Sequence, residues 1–214
     1  MSDLYQECRT AILKGDRAQA EKLARRVLAE SADPLRTIED GFVPGLREAG
    51  RLWDEGELFL PELVLAAEAM KAASAILQPA LAERGQKRQM QGRVVIGTIE
   101  GDIHDIGKTL VGTMLAANGY ETRDLGADVP VQKFVDEAES FQADFICISA
   151  LLTTTMAGQK KVIELLKNRA LRDSYRVLVG GAPCSEKWAA HIGADGYAGD
   201  AISTVQLADS LISR

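Results

Sequence analysis

Over the first 84 positions apolar residues recur at helical spacing, and residues that start or stop helices stand where the pattern breaks. The spacing predicts four helices. The first runs from Asp3 to Lys14 and stops at Gly15; the second opens at Asp16 and carries Ala20, Leu23, Ala24, Val27 and Leu28 on one face. The third begins at Asp33-Pro34, an N-cap followed by proline at the first helical position. Gly41, Pro44 and Gly45 interrupt it, so a kink or break is expected near Pro44 before the helix resumes over 46–53. The fourth runs from Pro61 to Arg84, ends at Gly85, and presents Leu63, Ala66, Ala67, Met70, Ala73, Leu77 and Leu81 on a broad apolar face.

Residues 85–92 are polar and without period, as an interdomain linker would be, and divide the chain into a four-helix bundle domain over 1–88 and a second domain over 89–214. Beyond the linker, short β-branched runs alternate with amphipathic stretches, the signature of a parallel sheet covered by helices. Strands are predicted at Arg93–Thr98, Tyr120–Leu125, Asp144–Ser149, Tyr175–Val179 and, more weakly, Gly196–Ala198. Helices follow near 107–118, 131–141, 156–170, 185–192 and 201–213. Five strands in this order predict an α/β, flavodoxin-like sheet, which binds ligands at the carboxyl ends of its strands. That rule selects the loops 99–106, 126–130, 150–155, 180–184 and 199–201.

Composition narrows the partners. A formal charge of −6 and a pI near 5.1 disfavour nucleic acid and anionic membrane surfaces. No apolar run is long enough to span a bilayer and the start lacks the pattern of a signal peptide, so a cytoplasmic protein is expected. Cys8, Cys147 and Cys184 are far apart, without CxxC spacing, and read as reduced thiols.

The first strand-end loop concentrates the chemistry. In Glu100-Gly101-Asp102-Ile103-His104-Asp105-Ile106-Gly107 one imidazole stands among three carboxylates. A carboxylate two residues before a histidine can accept a hydrogen bond from one ring nitrogen and leave the other free as a metal ligand, with Asp102 the best placed. Zinc or non-haem iron would need more nitrogen or sulfur donors than the loop offers. Gly107-Lys108-Thr109 resembles the end of a phosphate-binding loop, but Asp102 stands where that motif has its first glycine. A loop histidine with no ligand is the remaining reading.

Three motifs in order, Asp102-x-His104-x-x-Gly107 after the first strand, then Ser149-Ala150-Leu151 after the third, then Gly180-Gly181 after the fourth, resemble the corrinoid-binding module of cobalamin-dependent methionine synthase. The chain is still more similar to the corrinoid proteins of methanol, methylamine and betaine methyltransferase systems. Those proteins also carry a four-helix cap, with a stretch like Gly56-Glu57-Leu58-Phe59-Leu60-Pro61-Glu62.

The resemblance implies a corrinoid, as methylcobalamin or cob(I)alamin, with His104 as the axial ligand to cobalt and Asp102 tuning it through a hydrogen bond. It assigns cofactor contacts to Gly101, Ile103, Asp105, Ile106, Gly107, Ser149, Leu151, Thr153, Gly180, Gly181 and Ala201. Thr155 would extend the His–Asp relay, and Phe59, Leu60 and Met70 would cover the reactive cobalt face. The glycines would let backbone approach the ligand. Thr109 departs from the family, where asparagine often follows the lysine. The implied task is to carry a methyl group from a substrate-specific methyltransferase to a second one serving an acceptor such as coenzyme M or tetrahydrofolate. A reductive activase is a further implied partner, and the 85–92 linker would let the cap move aside. A cobalamin-based sensor is the alternative, although such proteins place a DNA-reading domain ahead of the cap. Cys184 and His191 read as structural.

Overall fold

A computed structural model describes residues 2–84 and 90–212, which form two compact units divided between Gln89 and Met90. Residues 85–89 of the expected linker, with the helix stop at Gly85, and residue 213 of the last predicted helix fall outside the described residues.

The first unit comprises α1 (Ser2–Leu13), α2 (Arg17–Ala29), α3 (Pro34–Thr37), a π-helical turn at Ile38–Phe42, α4 (Val43–Asp54) and α5 (Leu60–Glu83). The predicted caps form as short side chains before a helix should. Asp16 accepts the Gln19 N–H at 2.9 Å, and Asp33 accepts those of Leu35 and Arg36. The expected break at Pro44 is absent, because the helix widens instead. Pro44 has no N–H for the carbonyl four residues before it, and the π turn, in which the Val43 N–H reaches Ile38, takes up that mismatch just upstream. Gly41 and Gly45 then serve a different purpose from breaking a helix: a methyl group on Gly45 would lie 2.5 Å from the Arg9 carbonyl oxygen and 2.9 Å from Ile12 Cβ, so glycine lets α4 sit directly on α1. Ile12, Leu23, Phe42, Leu46, Leu63 and Leu77 are buried.

The second unit alternates β1 (Gly92–Thr98), α6 (Ile106–Ala117), β2 (Tyr120–Asp124), α7 (Val131–Phe141), β3 (Phe145–Ser149), α8 (Met156–Asn168), β4 (Arg176–Gly180), α9 (Glu186–Ile192), β5 (Gly196–Tyr197) and α10 (Ala201–Ile212). All strand pairs are parallel, in the order β2-β1-β3-β4-β5. Alternate residues of β1 feed opposite faces. Val95 joins Phe134, Val135, Ile146, Val162, Ile163 and Val177 in a core under α7, α8 and α9. Gly97 faces the same side and lets the Phe134 ring lie against β1, where a Cβ would be 2.9 Å from that ring. Ile96 points the other way, beneath Gly112 of α6. At the carboxyl edge Thr98 is in register with Ser149, and Ser149 with Gly180, so three central strands end in one row. The winding reverses between β1 and β3, which opens a crevice beyond their ends.

Candidate functional site

Asp102 and His104 lie over that crevice. After β1 the chain turns through Gly101, whose φ of +83° suits a residue without Cβ, and the Asp102 N–H closes onto Ile99 O at 3.1 Å. The Asp102 side chain is completely buried yet saturated with donors. Its Oδ1 accepts the His104 ring Nδ1 at 2.8 Å and the His104 N–H at 3.1 Å. Its Oδ2 accepts the Leu151 N–H at 2.7 Å, the Leu152 N–H at 3.2 Å and the Thr155 hydroxyl at 2.8 Å. Burial alone would push its pKa up. The bonds from the His104 ring, Leu151, the His104 backbone and Thr155 outweigh burial and hold the carboxyl well below the usual carboxylate range. An ionised Asp102 only accepts, so Nδ1 donates to it and Nε2 is the ring nitrogen not engaged by the carboxylate. The His104 side chain is 49% exposed. The result is a buried anion aiming a half-exposed imidazole whose free nitrogen is available to a metal.

Three further residues that the motif reading passed over brace this loop. The buried Thr98 hydroxyl donates to His104 O at 3.0 Å. Asp128, in the loop after β2, donates its N–H to Asp102 O at 2.9 Å and accepts the Gly101 N–H at 2.7 Å. Lys108, 4% exposed in the first turn of α6, directs Nζ at both carboxylate oxygens of Asp124, and Asp124 in turn accepts the Gly126 N–H. The strand-end rule had already marked the loop 126–130, which was the available signal for Asp128. Nothing in the sequence distinguishes Thr98 from any other strand threonine.

Exposed apolar side chains stand in the loops that carry and hold the imidazole, beside the exposed Asp105: Ile103 is 77% exposed, Ile106 81%, Leu151 40% and Leu152 42%. Four large apolar side chains turned to solvent in these loops mark a binding surface. Gly107 opens onto free space, since a Cβ there would meet nothing within 4 Å, and at Gly180 a Cβ would make an ordinary 3.4 Å contact with Ala198 O. Gly181 has a structural reason of its own, apart from the cofactor contact expected of it. It has a φ of +119° and a Cβ there would collide with the Ala150 carbonyl, so the chain's own packing requires glycine whatever binds beside it. Ser149 is half-buried, Thr153 exposed, Asp105 exposed, and Ala201 buried, so Ala201 has only backbone to offer. Cys184 is buried against Gly180 O and Gln159; burial raises the thiol's pKa against the opposing Gln159 hydrogen bond, and His191 lies beside Trp188.

In the first unit Phe59 is 69% exposed and Leu60 39% exposed at the entry of α5, where the Phe59 N–H donates to the Glu62 carboxylate at 2.8 Å. Met70, expected over the reactive cobalt face, is fully buried instead, seven residues from both Leu63 and Leu77 in the buried stripe of α5. It belongs to the bundle core, because two turns of helix return a side chain to the same face.

Among the described residues no three His, Cys, Asp or Glu side chains are grouped to hold a metal ion. His104 thus supplies a single donor, which suits a metal that brings its own equatorial ligands. The apolar rim suits the edge of a large ring, and the space over Gly107 suits a ligand chain passing close to backbone. These features fit a corrinoid. Both parts of the chain match models described as B12 binding domains, over residues 4–78 and 92–206. The chain is 46% identical over 212 residues to a corrinoid protein of Desulfitobacterium hafniense, covering 99% of this chain and 98% of that one. It is 44% identical over 211 residues to the dimethylamine corrinoid protein of Methanosarcina barkeri, with the same coverage. Its fold matches a chain of the methanol:cobalamin methyltransferase complex of Methanosarcina barkeri with a TM-score of 0.87 at 29% identity, over 99% of this chain and 80% of that one. With an oriented histidine at the reversal point of a doubly wound sheet and both parts of the chain matched, this protein belongs to the family of B12-binding corrinoid proteins.

Proposed function

We propose that this protein carries a methyl group on corrinoid cobalt from a substrate-specific methyltransferase to a second methyltransferase, which passes it to an acceptor such as coenzyme M or tetrahydrofolate. The observation that carries this reading is the Asp102–His104 pair, since a buried, ionised carboxylate bound to Nδ1 leaves Nε2 as a ligand of fixed direction. The relatives named dimethylamine corrinoid protein, and the solved methanol:cobalamin methyltransferase complex, support methyltransferases as partners. A reductive activase is proposed as a third.

Bound corrinoid supplies a cobalt centre able to accept and surrender a methyl group. The chain's own residues do the rest. His104 would hold the metal through Nε2, and Asp102, steadied by the Thr155 hydroxyl and two N–H groups, would set how basic that nitrogen is. Ile103, Ile106 and Leu151 exclude water from the ring edge. Ser149, Thr153, Gly107, Gly180, Gly181 and the Ala201 backbone would hold the cofactor's tail. We assign residues 89–214 to corrinoid binding and 1–88 to a cap, with its exposed Phe59 and Leu60 as the apolar side chains that would exclude water from the cofactor.

The test is reconstitution of the purified protein with methylcobalamin. The visible spectrum of the wild type is expected to show imidazole ligation and that of His104→Ala to lack it. Identical spectra would remove His104 as the ligand. Failure of every methyltransferase encoded nearby to methylate the reduced holoprotein would turn the reading toward a sensor.

A further inference from the structure

The loop after β2 grips the ligand loop at two adjacent points. Asp128 donates its N–H to Asp102 O and accepts the Gly101 N–H through Oδ1, at 2.9 and 2.7 Å. It does so from a left-handed backbone conformation with φ of +53°, which aspartate tolerates better than most side chains. Its loop is anchored on both sides of the grip. Thr98 N–H bonds Gly126 O at 3.0 Å, Val129 N–H bonds Thr98 O at 2.9 Å, and Asp124, held by Lys108, caps the Gly126 N–H. Gly101 in turn lies beside Thr155, where a Cβ would be 3.6 Å from its methyl group. Asp128 thus holds the peptide segment from which the Asp102 side chain departs, through hydrogen bonds to its backbone.

We propose that Asp128 is a positioning residue for His104: by clamping Gly101 and Asp102 from the neighbouring loop it sets where the imidazole stands, and so how completely Nε2 engages cobalt. This rests on His104 being the axial ligand. The two contributions of Asp128 are separable by substitution. Asn keeps an acceptor oxygen and the left-handed backbone. Gly keeps the backbone and loses the acceptor, while Ala loses the acceptor and strains the backbone.

The experiment loads the wild type, Asp128→Asn, Asp128→Gly, Asp128→Ala and His104→Ala with methylcobalamin and reads the ratio of imidazole-ligated to unligated cobalt from the visible spectrum. Hydrogen exchange at the Gly101 amide is measured on the same proteins without cofactor. Loss of one hydrogen bond is expected to lower that ratio about fivefold and to speed Gly101 exchange by a similar factor in the Gly variant, with Asn close to wild type. The Asn and Gly variants decide the matter even where the Ala variant fails to fold. Gly equal to wild type in both readouts, or Asn as impaired as Gly, overturns the proposal. Unchanged spectra for all Asp128 variants alongside a changed spectrum for His104→Ala overturn it while leaving His104 as the ligand. An unchanged spectrum for His104→Ala removes the ligand assignment and this inference together.

Discussion

The Leu151 N–H donates to Asp102 Oδ2 at 2.7 Å, joining the loop after β1 to the loop after β3 across the point where the sheet reverses its winding. The crevice of this fold is thereby closed from below by a carboxylate. Thr155, at the entry to α8, adds a hydroxyl to the same oxygen, so the ligand histidine is secured by two loops about fifty residues apart.

Asp102→Asn is expected to destabilise the protein without cofactor by about 2 kcal/mol, because the new amide group faces N–H donors that need an acceptor. A lower urea midpoint at an unchanged denaturant slope measures it. Since the folded pKa of Asp102 is depressed, its contribution is complete above the unfolded value, about 3.9, and fades as pH falls through the folded one. The gap between wild type and variant should therefore narrow below about pH 4.

Gly107→Ala separates folding from binding. No atom stands within 4 Å of the added methyl and the position lies in the first turn of α6, so the cofactor-free protein should gain about 0.5 kcal/mol from helix propensity. The same methyl occupies the space assigned to the cofactor's tail. Retention of methylcobalamin on gel filtration should fall, whereas equal retention would place the tail elsewhere.

The Lys108–Asp124 pair is asymmetric. The Lys108 side chain is 2% exposed and that of Asp124 44%. Asp124→Ala strands a buried cation and is expected to cost about 3 kcal/mol or more. Lys108→Met leaves a carboxylate that water can reach and should cost about 1 kcal/mol. Equal losses in chemical denaturation would contradict this.

Burial pushes the Cys8 and Cys147 thiols up to about 12, with Glu7 adding to the effect at Cys8. Raised folded values mean that stability is intact below the unfolded thiol value, about 8.5, and declines as pH rises from there toward about 12. The native protein should react slowly with iodoacetamide at pH 8. Replacing both residues with alanine should flatten the alkaline limb of the stability profile, even if it lowers stability at neutral pH.

The strands were legible because buried parallel strands are continuous β-branched runs, and β1 begins within one residue of its predicted start. The helices before them were legible from capping aspartates and apolar period. A proline announces a missing hydrogen bond and not how the chain accommodates it, so of the kink or break expected near Pro44 the break is absent and a widened turn stands just upstream. Met70 misled, since an apolar residue at helical spacing fits a bundle interior and a cofactor cover equally. The Asp102–His104 spacing pointed to their bond. The donors from Leu151 and Leu152, and the grip of Asp128, involve backbone groups that every residue possesses, so only the folded geometry singles them out.

The five hydrogen bonds to the Asp102 carboxylate all come from the chain itself. A ligand arm held by this many internal bonds has little conformational entropy left to lose on binding. Loading should then be governed by desolvation of the apolar rim at Ile103, Ile106, Leu151 and Leu152, which gives the reaction a negative heat-capacity change on binding.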